Sequence, residues 1–159
     1  VRKLIVTQTI HTHVLRNGMM LVAEPMAGVE SAAFSLRVPA GCIYEPDHRA
    51  GLAGLTCELM LRGSGPRDNR QFVTDLDNLG VERGESVSDA HASFSGATLA
   101  KHLLPALSIY ADVVLRPHLP EDELEASRLV NLQELSAVED EPSQKVMIEL
   151  RRRQYPDPW

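Results

Sequence analysis

The chain is poor in cysteine, in positive charge and in long apolar runs, and each shortage excludes something. Two cysteines, Cys42 and Cys57, among 159 residues cannot form the bridged framework that holds small secreted domains together. A reducing compartment is therefore expected, with the cytoplasm as the default location. The net charge is -6 and the pI is near 5.5, which argues against nucleic acid and against a membrane surface as partners. No apolar run approaches the roughly 18 residues of a membrane helix, and the start shows no charged-then-apolar leader. Also missing are a phosphate-binding P-loop, a G-x-G-x-x-G turn, a CxxC pair and a serine-nucleophile elbow.

What is present is ordinary globular composition, 43% hydrophobic and 24% charged, enough for a single domain over 1–159 with one core. Residues 7–26 alternate on both sides of Asn17-Gly18, which predicts a hairpin closed by a two-residue turn. His11 and His13 share one strand face there. That spacing can chelate a metal, but solvated histidines on a strand are far commoner. Residues 31–39 alternate again, with Ala32, Phe34, Leu36 and Val38 on one face. Residues 42–50 read as a loop.

A helix is expected over 49–62, with Leu52, Leu55 and Leu59 as its apolar stripe, ended by "GSGP". A second, over 68–79, places Phe72, Val73, Leu76 and Leu79 on one side and stops at Gly80. Residues 81–89 and 91–99 are two strands joined at Asp89-Ala90. A helix over 101–116 follows, with Pro105 tolerable only near its first turn. Another runs from the acidic stretch after Pro120 to about 139, with Leu124, Leu132, Leu135 and Val138 expected inward. A last one, over 143–154, ends in Arg151, Arg152 and Arg153, read as a solvated helix end. Strands and helices in blocks imply an α+β fold, a mainly antiparallel sheet with helices packed on one face.

Four ordered features stand out: "AGCIYEP" after a strand, "GLAGLTCELMLRG" as a helix, "LDNLGVERGESVSDAHASFSG" as helix, glycine and two strands, and "RPHLPEDELEASRLVNLQELSAVEDEPSQKV" as two helices around a break. Together they resemble the N-terminal domain of the insulinase/pitrilysin family of zinc peptidases, which includes the mitochondrial processing peptidases. The likeness runs from the hairpin to Tyr155-Pro156. It implies the processing-peptidase type of α+β fold, and a chain that forms the first part of a larger, duplicated protein.

The family's helix carries H-x-x-E-H. Two imidazoles one turn apart grip one zinc ion, the Glu between them activates a bound water, and a carboxylate from the later long helix completes the set. Laid on this chain, Gly54 stands at the first histidine, Cys57 at the general base and Glu58 at the second histidine. Glu134, 76 positions after Glu58 (134 − 58), matches the distal ligand, while Ser127 replaces a supporting acid. No catalytic residue is therefore expected, and no cofactor where active members hold zinc. Glu58, Glu134 and Cys57 would be a poor zinc set and at best a weak site for a hard cation. Without a cation or donors nearby, Glu58 and Glu134 facing each other would repel. A nucleophilic Cys57 would need a histidine in reach; His48, His91 and His102 are candidates, against the blander expectation of a buried thiol.

The resemblance also implies an edge strand able to pair with an extended peptide, at Ser86, Val87, Ser88 and Asp89. The expected function is a non-catalytic homologue that helps bind peptide for an active peptidase-family partner, or that forms a homo-oligomer. An active hydrolase with an altered metal site and a purely structural subunit are the alternatives.

Overall fold

The computed structural model describes residues 8–155, apart from the side chain of Glu139. Thr7, where the expected hairpin begins, and residues 156–159 lie outside the described residues. The chain divides into two compact units, with the boundary after Ser31.

The first unit is the hairpin: β1 (His11–Val14) pairs antiparallel with β2 (Met20–Ala23), His11 opposite Ala23 and His13 opposite Leu21. Its connection differs from the expected two-residue turn. The Gly18 N–H donates to Leu15 O at 2.9 Å and the Leu15 N–H to Met19 O at 2.8 Å, so residues 16–18 form a three-residue loop. Gly18 alone takes a positive φ, +85°, as a turn with a glycine bulge requires. Asn17 instead uses its side-chain oxygen to accept from the Met19 N–H at 3.1 Å.

The second unit is built on a three-stranded sheet in the order β3-β7-β6, formed by β3 (Ser31–Val38), β6 (Glu82–Val87) and β7 (Ala92–Leu99). β6 and β7 are antiparallel, with Glu85 opposite Phe94 and Val87 opposite Ala92. Side chains alternate along each strand. On β3 the expected set Ala32, Phe34, Leu36 and Val38 is the half-buried one, and on β7 Ala92, Phe94, Gly96 and Thr98 are buried. A small hairpin, β4 (Gly63–Ser64) with β5 (Arg67–Asp68), occupies the segment read as a helix stop.

Among the described residues five α-helices follow the predicted order: α1 (Leu52–Met60), α2 (Asn69–Asn78), α3 (Leu103–Leu115), α4 (Leu124–Asp140) and α5 (Pro142–Gln154). α1 is shorter at both ends than the expected 49–62. Asp68 caps α2, accepting from the Gln71 N–H at 2.7 Å, and Gly80, at φ +61°, ends it. Pro105 is the third residue of α3, where its missing N–H costs nothing. The core joins Phe72 and Leu76 of α2, Phe94 of β7, Ala106, Ile109, Tyr110 and Val113 of α3, and Cys57 of α1. Phe34 meets Tyr110 edge-on, with centroids 5.0 Å apart. Among the described residues no helix is long and apolar enough to cross a membrane.

Two expected apolar faces are different. On α1, Cys57 and Leu59 are buried while Leu52 is exposed. On α4, Leu124, Leu132 and Leu135 are exposed, while Ser127 is fully buried. The partner across α4 is α1, which presents glycine and charged groups there, so a polar and small stripe turns inward and the leucines turn out.

Candidate functional site

α1 is held at its start by a carboxylate. Glu45 accepts from the Ala53 N–H at 2.6 Å and from the Gly51 N–H at 3.0 Å. A negative charge on the free N–H groups of a helix start is favourable twice over, by hydrogen bonding and by the helix dipole. This fixes the helix that carries Gly54, Cys57 and Glu58. The same loop docks on the β6–β7 turn: the Cys42 N–H donates to Ser88 O at 3.1 Å and the Ile43 N–H to Asp89 O at 2.9 Å. A Cβ at Gly41 would sit 2.4 Å from both carbonyl oxygens, so only glycine admits this approach.

α1 runs antiparallel to α4 along a polar seam. At one end the Cβ position of Gly54 is 3.5 Å from Asn131 Oδ1. At the other, Arg62, just past α1, donates from Nη1 to Glu123 Oε2 at 3.3 Å. Residues four apart share a helix face, so Glu58, midway on one side, falls level with Ser127, midway on the other. Ser127 is fully buried, and its hydroxyl has no hydrogen-bond partner among the described residues. The Asn131 amide donates to Ser127 O at 2.9 Å.

Charge in the seam is organised by Arg62. Its Nη2 donates to Glu58 Oε1 and its Nη1 to Glu123. The other oxygen of Glu123 accepts from Asn69 Nδ2 at 3.1 Å. The repulsion expected of an uncompensated Glu58 is thus met by a guanidinium one turn away, while Glu134 is exposed. Burial, with the charges of Glu85 and Glu58 adding to it, pushes the Cys57 thiol up to about 11. At neutral pH it is protonated, and a protonated thiol is a poor nucleophile. None of the three candidate histidines is bonded to it among the described residues. His102 Nδ1 donates to Leu79 O at 2.9 Å, and His48 and His91 are exposed.

The donor set does not fit zinc. Gly54 offers no side chain, Glu58 is bound to Arg62, and Cys57 is packed into the apolar core. Among the described residues no three His, Cys, Asp or Glu side chains group so as to hold a metal.

The expected peptide edge is only partly free. The Ser88 N–H donates to His91 O at 2.8 Å, closing the two-residue loop read at Asp89-Ala90. Hydrogen-bonded pairs alternate from there, which turns the backbone groups of Arg83, Glu85 and Val87 away from β7. The carbonyls of Ser88 and Asp89 are already used by residues 42 and 43. The side chains of Arg83 and Glu85 lie on the same sheet face as Gly96 and Phe94 opposite them. Sequence reading missed Glu45, Arg62, Glu123 and Asn131. The signal available was the i, i+4, i+8 spacing of Gly54, Glu58 and Arg62 against Glu123, Ser127 and Asn131.

Known proteins resemble most of the chain. The family model described as insulinase (peptidase family M16) matches residues 21–156. An uncharacterized zinc protease of Rickettsia bellii is 26% identical over 132 residues, covering 83% of this chain and 32% of that protein. A probable mitochondrial-processing peptidase subunit beta of Arabidopsis thaliana is 22% identical, over 84% of this chain and 25% of that protein. Among crystal structures, a peptidase M16 inactive domain from Pseudomonas fluorescens superposes with a TM-score of 0.80 at 22% identity, covering 94% of this chain and 36% of that one. Pitrilysin does so with 0.74, at 22% identity, over 82% and 14%. The chain spans about a third of the length of the first of these relatives. With the α+β fold, the ordered motifs and a match across most of its residues, this chain belongs to the insulinase family of peptidases, family M16.

Proposed function

We propose that this chain is a non-catalytic member of its family, one that helps to bind an extended peptide for a catalytic partner of the same family. The observation that carries the reading is the seam. The family's two imidazole positions are held by Gly54, which has no side chain, and by Glu58, which is paired with Arg62. The general-base position is held by Cys57, whose thiol stays protonated. Activating a water needs an open Lewis acid and a base beside it, and these three residues supply neither. The inactive domain from Pseudomonas fluorescens, similar across nearly all of this chain, agrees with that reading.

The role left is binding. β6 has β7 on one side only among the described residues. The outward backbone groups of Arg83, Glu85 and Val87 can pair with a peptide strand. The earlier expectation of Ser86, Val87, Ser88 and Asp89 narrows accordingly to the part of the strand before the docked turn.

The test is hydrolysis of a quenched-fluorescence peptide library by the full-length protein. It is assayed alone, after chelation, with zinc added back, and mixed with a catalytic M16 protein from the same host. No turnover alone under any metal condition, with faster turnover by the mixture than by the partner alone, is the expected result. Turnover by the protein alone that chelator abolishes and zinc restores would establish the altered-site hydrolase instead.

A further inference from the structure

We propose that Arg62 is the resident cation of the α1–α4 seam, a covalently tethered charge that ties these helices together and leaves no room for a bound metal ion. The inference concerns Arg62 itself and stands whether or not the chain works with a catalytic partner.

Two carboxylates, Glu58 from α1 and Glu123 from the turn that leads into α4, converge on one guanidinium. All three side chains are mostly buried, at 26%, 25% and 31% exposure for Arg62, Glu58 and Glu123. Two acidic groups so placed need a counter-charge; without one they repel, take up a proton or recruit a cation. Arg62 answers that need from within. A guanidinium keeps its charge at every physiological pH, and its planar fork presents separate N–H groups to separate acceptors. Because Asn69 at the start of α2 binds the second oxygen of Glu123, the same carboxylate joins three elements: the end of α1, the start of α2 and the entrance to α4.

The rest of the seam fits this reading. Its neutral groups bring no competing charge: Asn131 lies two turns from Glu123, beside Gly54, and the buried Ser127 hydroxyl has no partner among the described residues. Without Arg62 that end of the seam would hold two facing carboxylates, Glu58 and Glu123, a pair that suits a hard divalent ion and not zinc. With Arg62 present, an entering ion would have to displace a charge that never leaves.

The experiment is thermal unfolding of the full-length protein with EDTA and with millimolar Mn2+, Ca2+ or Zn2+. Wild-type Tm should be the same in all. Arg62→Met should lower Tm by roughly 5 °C, and Mn2+ or Ca2+ should restore at least half of the loss. The double variant Arg62→Met/Glu58→Gln should lose that response. If Arg62→Met does not accumulate folded, Arg62→Lys decides. A folded, metal-indifferent protein supports the charge role, and failure to fold refutes it. A wild-type Tm that falls in EDTA and returns with zinc would overturn the proposal. So would an Arg62→Met variant of unchanged Tm, or one whose loss no divalent ion recovers.

Discussion

Cys57, on one side of α1, belongs to the apolar cluster with Phe72, Phe94 and Val113. On another side of the same helix, Gly54 faces Asn131, and Arg62, beyond the helix end, pairs with Glu58 and Glu123. One helix therefore serves two interfaces with opposite rules. In the core, stability scales with apolar area removed from water and with how tightly the atoms fill space. In the seam it depends on whether each polar group finds a partner. The first interface gives the chain its fold. The second holds positions that the resemblance assigns to the family's metal site, and there Glu58 is paired with Arg62.

The comparison breaks most visibly at the core. Phe94 is fully buried in the middle of the sheet. Phe94→Ala should cost about 3–5 kcal/mol in urea unfolding of the full-length protein, through lost transfer energy plus the cavity left behind. If its cost were no larger than that of a surface substitution, the cluster would not be the centre of stability described above.

A smaller effect is expected at the charged network beneath α3. Asp112 is bound by Arg116 and by Arg67, which reaches it at 3.0 Å. The hydrogen bond from Arg116, with the charges of Arg116 and Arg67, holds the Asp112 carboxyl below its ordinary value, and the hydrogen bond from Arg67 does the same for Asp75. A carboxylate whose pKa is lower folded than unfolded stabilises the fold above its unfolded pKa and loses that contribution as pH falls through the folded one. The urea midpoint should therefore drop as pH falls below about 4. Asp112→Asn should be less stable at pH 7 and show a shallower acid decline. Equal slopes for the two proteins would remove Asp112 from the account.

The contrast also explains what sequence could reveal. Phe72 and Leu76, four apart and followed by Gly80, declare both helix and core face, because helical spacing and burial agree there. The alternation of β3 and the tight β6–β7 connection are legible for the same reason: period two and a short turn leave little choice. α4 is not legible by that rule. Leu124, Leu132 and Leu135 look like its core face, but the face that meets α1 is Glu123, Ser127 and Asn131. Hydrophobic pattern finds a buried face only when the opposing surface is apolar. Opposite Gly54 and Glu58 it is the polar stripe that fits. The resemblance assigned the family's site positions to Gly54, Cys57, Glu58, Ser127 and Glu134, but a motif names ligands and says nothing about what replaces them. Arg62 and Glu123 emerge only when the helices are placed side by side.

The sharpest use of the comparison is also its smallest effect. Ser127 and Phe94 are both fully buried, so a rule based on burial alone predicts that trimming either side chain destabilises. The seam predicts otherwise for Ser127. Its hydroxyl was taken from water and given no partner among the described residues, and an unsatisfied buried hydroxyl is a standing penalty. Ser127→Ala removes the oxygen and keeps the Cβ, so almost no packing is lost. The Asn131 amide bonds the backbone oxygen of residue 127, which the substitution leaves in place. The variant should be as stable as wild type or more stable by up to about 1 kcal/mol, measured by urea unfolding beside Phe94→Ala. A loss above about 1 kcal/mol would mean that the hydroxyl is satisfied by bound water in solution, and that the seam is a hydrated network and not a dry one.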